Sequence, residues 1–222
     1  CRVPAIEPVL TGLEDALPGS WPQVKLLTDG FHFCGGSLIS QDWITAAHCL
    51  VVVSEFDQGS DDEDIDQLLV LTHPKFIKTP YRENIALVKL RLGFHDTMSI
   101  CMPSARDYFP EDSTCVTSSW GRTSYKDYKG KKLQQATLPL LSNTQCKKLW
   151  GSRISPEVVC TRAERASYCR SDGGPPVCQK VDTWALMGIV SWGSNACVHS
   201  KPGVYTHVTE FLTCVQEIVE AN

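Results

Sequence analysis

Eleven cysteines are scattered through this chain of 222 residues, from Cys1 to Cys214, at long and uneven intervals. Zinc knuckles need paired CxxC spacings and redox sites need one CxxC, and this pattern fits neither. Disulfides formed in an oxidising compartment are the remaining reading, so a secreted, extracellular protein is expected. An odd number leaves at least one thiol unpaired or bridged to another chain. A disulfide framework at such spacings ties together segments distant in sequence and constrains the fold more than any local propensity does.

The cysteines punctuate short β-branched and aromatic runs bounded by Gly, Pro, Ser and Asn: "GGSLIS", "DWITAA", "LLVLTH", "NIALVKL", "KKLQQATLPLL", "WALMGIVSWG" and "PGVYTHV". Without helical periodicity between them, they predict an all-β fold of antiparallel barrels or sandwiches. The tail differs. Val208, Phe211, Leu212, Val215, Ile218 and Val219 recur at spacings of three and four, which predicts a terminal helix laid on the barrel surface.

Charge and hydropathy narrow the partners. A formal net charge of -4 offers no overall attraction for nucleic acid or anionic membrane, and no apolar stretch approaches a membrane span. The chain opens at Cys1 with no charged-then-apolar leader and reads as a form already stripped of a signal peptide. The acidic run "SDDEDID", Ser60 to Asp66, reads as a solvated loop tip, with a calcium loop as the minor option. Neither a cofactor nor a metal is expected.

Five motifs stand in a telling order: "WITAAHC" (Trp43 to Cys49), "ENIALVKL" (Glu83 to Leu90), "CRSDGGPPVC" (Cys169 to Cys178), "GIVSWGS" (Gly188 to Ser194) and "KPGVYTHV" (Lys201 to Val208). On these the chain resembles a chymotrypsinogen-like member of the chymotrypsin/trypsin serine protease family, whose motifs carry general base, orienting acid, nucleophile loop and specificity-pocket walls in this sequence. The resemblance implies two six-stranded antiparallel β-barrels and a C-terminal helix, with the active site in the cleft between barrels. It divides the chain into a zymogen-like segment 1–20, an N-terminal barrel 21–110, a C-terminal barrel 111–207 and a helix 208–222. It further implies disulfides Cys1–Cys101, Cys34–Cys49, Cys115–Cys178, Cys146–Cys160 and Cys169–Cys197. Cys214 is left over, where relatives have a tryptophan, so the chain is expected to be monomeric unless that thiol cross-links.

Three departures decide the chemistry the resemblance implies. His48 matches the base, but the acid position holds Asn84, and an amide cannot stabilise an imidazolium. Glu83, next door, is expected to point the other way along a strand. In the nucleophile loop Arg170, Ser171 and Asp172 precede Gly173, and two alignments stay open. In one, Asp172 takes the nucleophile's place with Ser171 displaced by about 3.8 Å along the backbone; in the other, Asp172 is the acid before a deleted serine. Arg170 and Asp172 fall at the oxyanion-hole positions, with Arg170 in place of a glycine. Finally, "TGLEDALPGS", Thr11 to Ser20, holds neither a basic residue nor an Ile-Val pair to free an activating amino terminus.

The specificity pocket remains readable by the same resemblance. Ser167 falls at its base beside the bulky Tyr168, and Ser191, Trp192, Gly193 and Gly203 match its walls, implying an ancestral preference for large apolar side chains. The expected function is a catalytically inactive family member. The alternatives are a slow protease using Ser171 and a pseudoenzyme that binds an inhibitor or peptide in the cleft. If Asp172 lies beside His48, its charge favours the imidazolium. An NMR titration of His48 then reads a midpoint above that of a free imidazole; one at or below it places the carboxylate elsewhere, with His32 the alternative partner.

Overall fold

A computed structural model describes residues 14–17, 19–28, 31–47, 68–78, 81–90, 98–120, 133–162, 174–180, 183–194 and 201–222. Five strands, β2 (Gln23–Thr28), β3 (Phe31–Leu38), β4 (Trp43–Ala46), β5 (Leu68–Thr72) and β8 (Ala86–Leu90), form one antiparallel sheet in the order β2-β3-β4-β8-β5. Between β5 and β8 stands a small hairpin, β6 (Ile77–Lys78) with β7 (Tyr81–Arg82). Strand period two sorts the apolar residues onto opposite faces. Ile44, Ala46, Ala86, Val88 and Leu90 join Leu38 in a core of the sheet's own, whereas Trp43 and Leu87 join a larger one.

The second sheet has eight strands. β9 (Thr114–Ser119), β10 (Gln134–Leu141), β11 (Val158–Thr161), β12 (Pro176–Lys180), β13 (Thr183–Leu186), β14 (Gly188–Trp192) and β15 (Gly203–His207) run in the order β13-β12-β9-β10-β11-β15-β14. The two-residue β1 (Glu14–Asp15) adds to β10. Cys115 of β9, Leu140 of β10, Val159 of β11, Cys178 of β12, Met187 and Tyr205 of β15 converge in one buried cluster. Side chains from all around a sheet meet at one centre only when the sheet curls on itself, so this sheet is barrel-like. Met187 links β13 directly to β14, and its N–H donates to the Pro176 carbonyl of β12 at 2.9 Å. The expected all-β architecture of two antiparallel sheets is thus present.

Two disulfides bind the second sheet. Cys115–Cys178 joins directly opposed residues of β9 and β12, and Cys146–Cys160 ties helix α1 (Asn143–Trp150) to β11. Both are pairings the resemblance implies. Cys101 is also disulfide-bonded, to a partner outside the described residues, and the pairs Cys34–Cys49 and Cys169–Cys197 fall outside the description as well. Helix α1 begins where Ser142 Oγ accepts the Gln145 N–H and ends at Gly151, whose φ of 68° suits a residue without a side chain.

The terminal helix forms as the periodicity predicts, with one difference. Its first turn, Val208–Phe211, is 3-10 and only Leu212–Ala221 (α2) is α-helical. Val208, Phe211 and Val215 are buried, and Leu212, Ile218 and Val219 pack beside them in the core that also holds Trp21, Trp43, Ile85, Leu87, Val177, Trp184 and Ile189. That core belongs to both sheets. The Trp21 and Trp184 rings meet edge to face there at 5.6 Å.

The connection between the sheets is anchored by Asp107, whose carboxylate accepts the Ser104 N–H at 2.9 Å and Ser104 Oγ–H at 2.8 Å and pairs with Lys180 of β12. The Lys180 ammonium, then the Ser104 backbone N–H, hold its pKa down to about 2. The folded value lies below the unfolded one, so this anchor stabilises the fold above roughly pH 4 and is lost as pH falls towards 2. Asp107→Asn is therefore expected to lower the urea midpoint at pH 6, with the gap to the parent protein closing by pH 2. A gap independent of pH would show that the carboxylate's charge contributes nothing.

Candidate active site

The antiparallel pairing of Ala46 with Ala86 brings the end of β4 and the start of β8 to one edge of the first sheet. Ala47, buried, follows β4, and His48 comes next but lies outside the described residues. Before β8 stand Glu83, Asn84 and Ile85. Glu83 is not extended as sequence alternation would have it. Its φ is 47°, a left-handed conformation that removes the up-down rule by which its side chain was expected to point away. One of its carboxylate oxygens is buried without a hydrogen-bond partner among the described residues.

Asn84 is only 5 % exposed. Its amide Nδ2 donates to Ser191 Oγ at 2.9 Å, and its backbone carbonyl accepts from Thr206 Oγ1 at 2.9 Å. A residue of the first sheet's edge is therefore stitched to β14 and β15 of the second, at the junction where the resemblance implies the active-site cleft. Ser191 reaches Asn84 from an irregular point in its strand. The β14–β15 register shifts between Val190 and Trp192, leaving Ser191 as the extra residue. Where a catalytic acid would accept hydrogen bonds and carry charge, a neutral amide donates one.

The nucleophile loop is described only at its downstream end. Ser167, Tyr168, Arg170, Ser171, Asp172 and Gly173 lie outside the described residues, while Gly174 and Pro175 are buried and Pro176 opens β12 opposite Thr117. Gly174 is clamped. A Cβ there would stand 2.4 Å from the Ser118 carbonyl oxygen and 2.8 Å from Ser119 Cβ. His32 belongs to β3, where it pairs with Leu27, and its side chain is outside the description.

The pocket-wall candidates are brought together. Ser191 and Trp192 close β14 and Gly193 follows it; Gly203, which opens β15, is paired with Thr161, and Val204 with Trp192. Behind them stand two residues that sequence reading missed, Trp150 at the end of α1 and Lys201 just before β15. The Trp150 ring meets Trp192 edge to face at 4.9 Å and an interplanar angle of 80°. Lys201 Nζ lies 4.9 Å from the Trp150 ring centroid. A tryptophan closing a helix after two lysines was the only local signal.

Cys214 is a free, half-buried thiol in α2, with Leu71, His73, Ile85 and Leu87 around a small apolar crevice. Burial, then the charge of Glu217, raises its pKa and keeps it protonated. Among the described residues no group of three His, Cys, Asp or Glu side chains stands together as a metal site, and no helix is long and apolar enough to cross a membrane.

Comparison with known proteins agrees with these features. The family described as Trypsin matches residues 10–215. The human protein named transmembrane protease serine 5 is 32 % identical over 241 residues, which cover 95 % of this chain and 52 % of that protein. The chain thus spans about half the length of that relative. The aligned span also exceeds the chain's own 222 residues, so the chain skips positions that the relative has.

Because a backbone carbonyl blocks the space above Gly174, Gly174→Ala is expected to destabilise the fold by about 2–3 kcal/mol. Urea denaturation checks this; an unchanged midpoint would mean that the downstream loop end is free to shift.

Proposed function

Because the chain belongs to the trypsin family of serine endopeptidases, we propose that it is an extracellular member of that family which no longer hydrolyses peptide bonds. The observation that supports the reading is the buried Asn84 amide donating to Ser191 Oγ, Asn84 being the residue that the resemblance sets at the orienting acid's position. An amide there cannot offset the positive charge that the base acquires as it takes the nucleophile's proton. In catalytically intact members of the family, the acid-to-amide change costs about 10⁴ in kcat. In either alignment of Asp172 the loop offers the base no hydroxyl, which removes the nucleophile itself, and Thr11 to Ser20 offers no cleavage that would free an activating terminus. The disulfides fit an oxidising compartment, and disulfide-bonded trypsin-domain proteins are typically extracellular or membrane-anchored.

A second reading, retention of ligand binding, is favoured by the pocket walls. Ser191, Trp192 and Gly203 lie on the paired strands β14 and β15, with Gly193 just beyond β14 and Trp150 bracing Trp192, a surface against which a large apolar side chain of a peptide or inhibitor loop can rest. The family's ancestral specificity is the basis for that ligand class.

After treatment with trypsin, the protein is expected to form no adduct with a serine-directed organophosphorus probe and to turn over no chromogenic Phe or Tyr amide above blank. Asn84→Asp alone should not change either result, since a restored acid has no hydroxyl to activate. A stoichiometric adduct on Ser171 overturns the reading.

A further inference from the structure

We propose that Lys201 is a positioning residue that fixes both walls of the specificity pocket to the C-terminal end of α1. The inference rests on the assignment of Ser191, Trp192, Gly193 and Gly203 as those walls. The last carbonyls of a helix have no partner within it and form the negative end of its dipole. At the end of α1 the Gly151 N–H takes the Lys147 carbonyl, and the Leu149 carbonyl receives Lys201 Nζ at 3.0 Å. The same ammonium faces the Trp150 ring, whose π-cloud attracts a cation. Trp150 returns the contact, its Nε1–H donating to the Pro202 carbonyl at 3.1 Å.

Two neighbouring residues of one segment thus grip two neighbouring residues of the other. Gly203, the first residue of β15, follows this clasp directly, so the clasp sets where one wall begins. The other wall is set through Trp150, whose ring meets Trp192 edge to face. Lys201 acts on the walls through Trp150 and Pro202. None of these contacts involves a freed amino terminus, so the walls are braced in the uncleaved chain. A ligand would then find them already in place.

Amide hydrogen exchange on the full chain tests this with Lys201→Met, which keeps the aliphatic stem and removes the charge, and Lys201→Arg, which keeps the cation. The Met variant is expected to speed exchange at Ile189–Trp192 and Gly203–Tyr205 roughly five- to tenfold, with the first sheet unchanged. The Arg variant should stay within about twofold of the parent protein. Unchanged exchange at the walls in the Met variant, or equal acceleration throughout the molecule, overturns the proposal. Affinity for a reactive-loop protease inhibitor with phenylalanine at its contact residue should fall by a similar factor. If the parent protein binds no such inhibitor, the ligand-binding reading fails while the exchange result still decides the role of Lys201.

Discussion

The apolar seam between the two sheets is the constraint on which everything else rests. Each sheet turns part of its side chains to a core of its own, but three of the six tryptophans, Trp21, Trp43 and Trp184, lie in the core that both sheets share. Only a common interior can bury them, and the terminal segment closes that interior with Val208 and Phe211 of its 3-10 turn and Val215 of α2. Aromatic side chains of this size contribute large buried areas, so sheets packed through them hold a fixed mutual orientation. The hydrogen bonds from Asn84 to Ser191 and from Thr206 to Asn84 depend on that orientation, since their partners lie on different sheets.

Rigidity around the site is unevenly distributed among its parts. The base and nucleophile segments flank parts that are held firmly: Ala47 is buried in the common core, and Gly174 is pressed against Ser118. The walls are braced from behind by α1. The scaffold around the candidate site is made of core and strand pairing and not of the candidate catalytic groups themselves, so it does not depend on their identity.

How much of this could be read from the sequence depends on the range of the interaction. The stripe of the terminal helical segment was legible to the residue, since six apolar positions at spacings of three and four have one economical reading, and all six pack on the core. Its 3-10 first turn was not, because that turn is set by the handover from β15. Strands were legible from β-branched runs, but those runs left barrel and sandwich open, and the barrel expectation came from the family resemblance. The position of Asn84 came from family resemblance alone; an asparagine before an apolar strand has no chemical signature. Lys201 and Trp150 escaped for a similar reason, since a cation over a ring 51 residues away leaves no periodicity to detect. Glu83 shows the opposite failure, where the alternation rule was applied to a residue whose backbone is left-handed.

The burial of position 84 carries a consequence for how such a chain persists. A carboxylate that is 5 % exposed must give up most of its hydration, and a protein tolerates this only while surrounding donors and a neighbouring cation compensate. An amide of the same shape keeps the hydrogen-bonding framework and asks for far less. On the proposed reading that catalysis no longer constrains the position, exchanging charge for neutrality spares the fold the electrostatic penalty a carboxylate there would carry, and position 84 becomes a source of robustness.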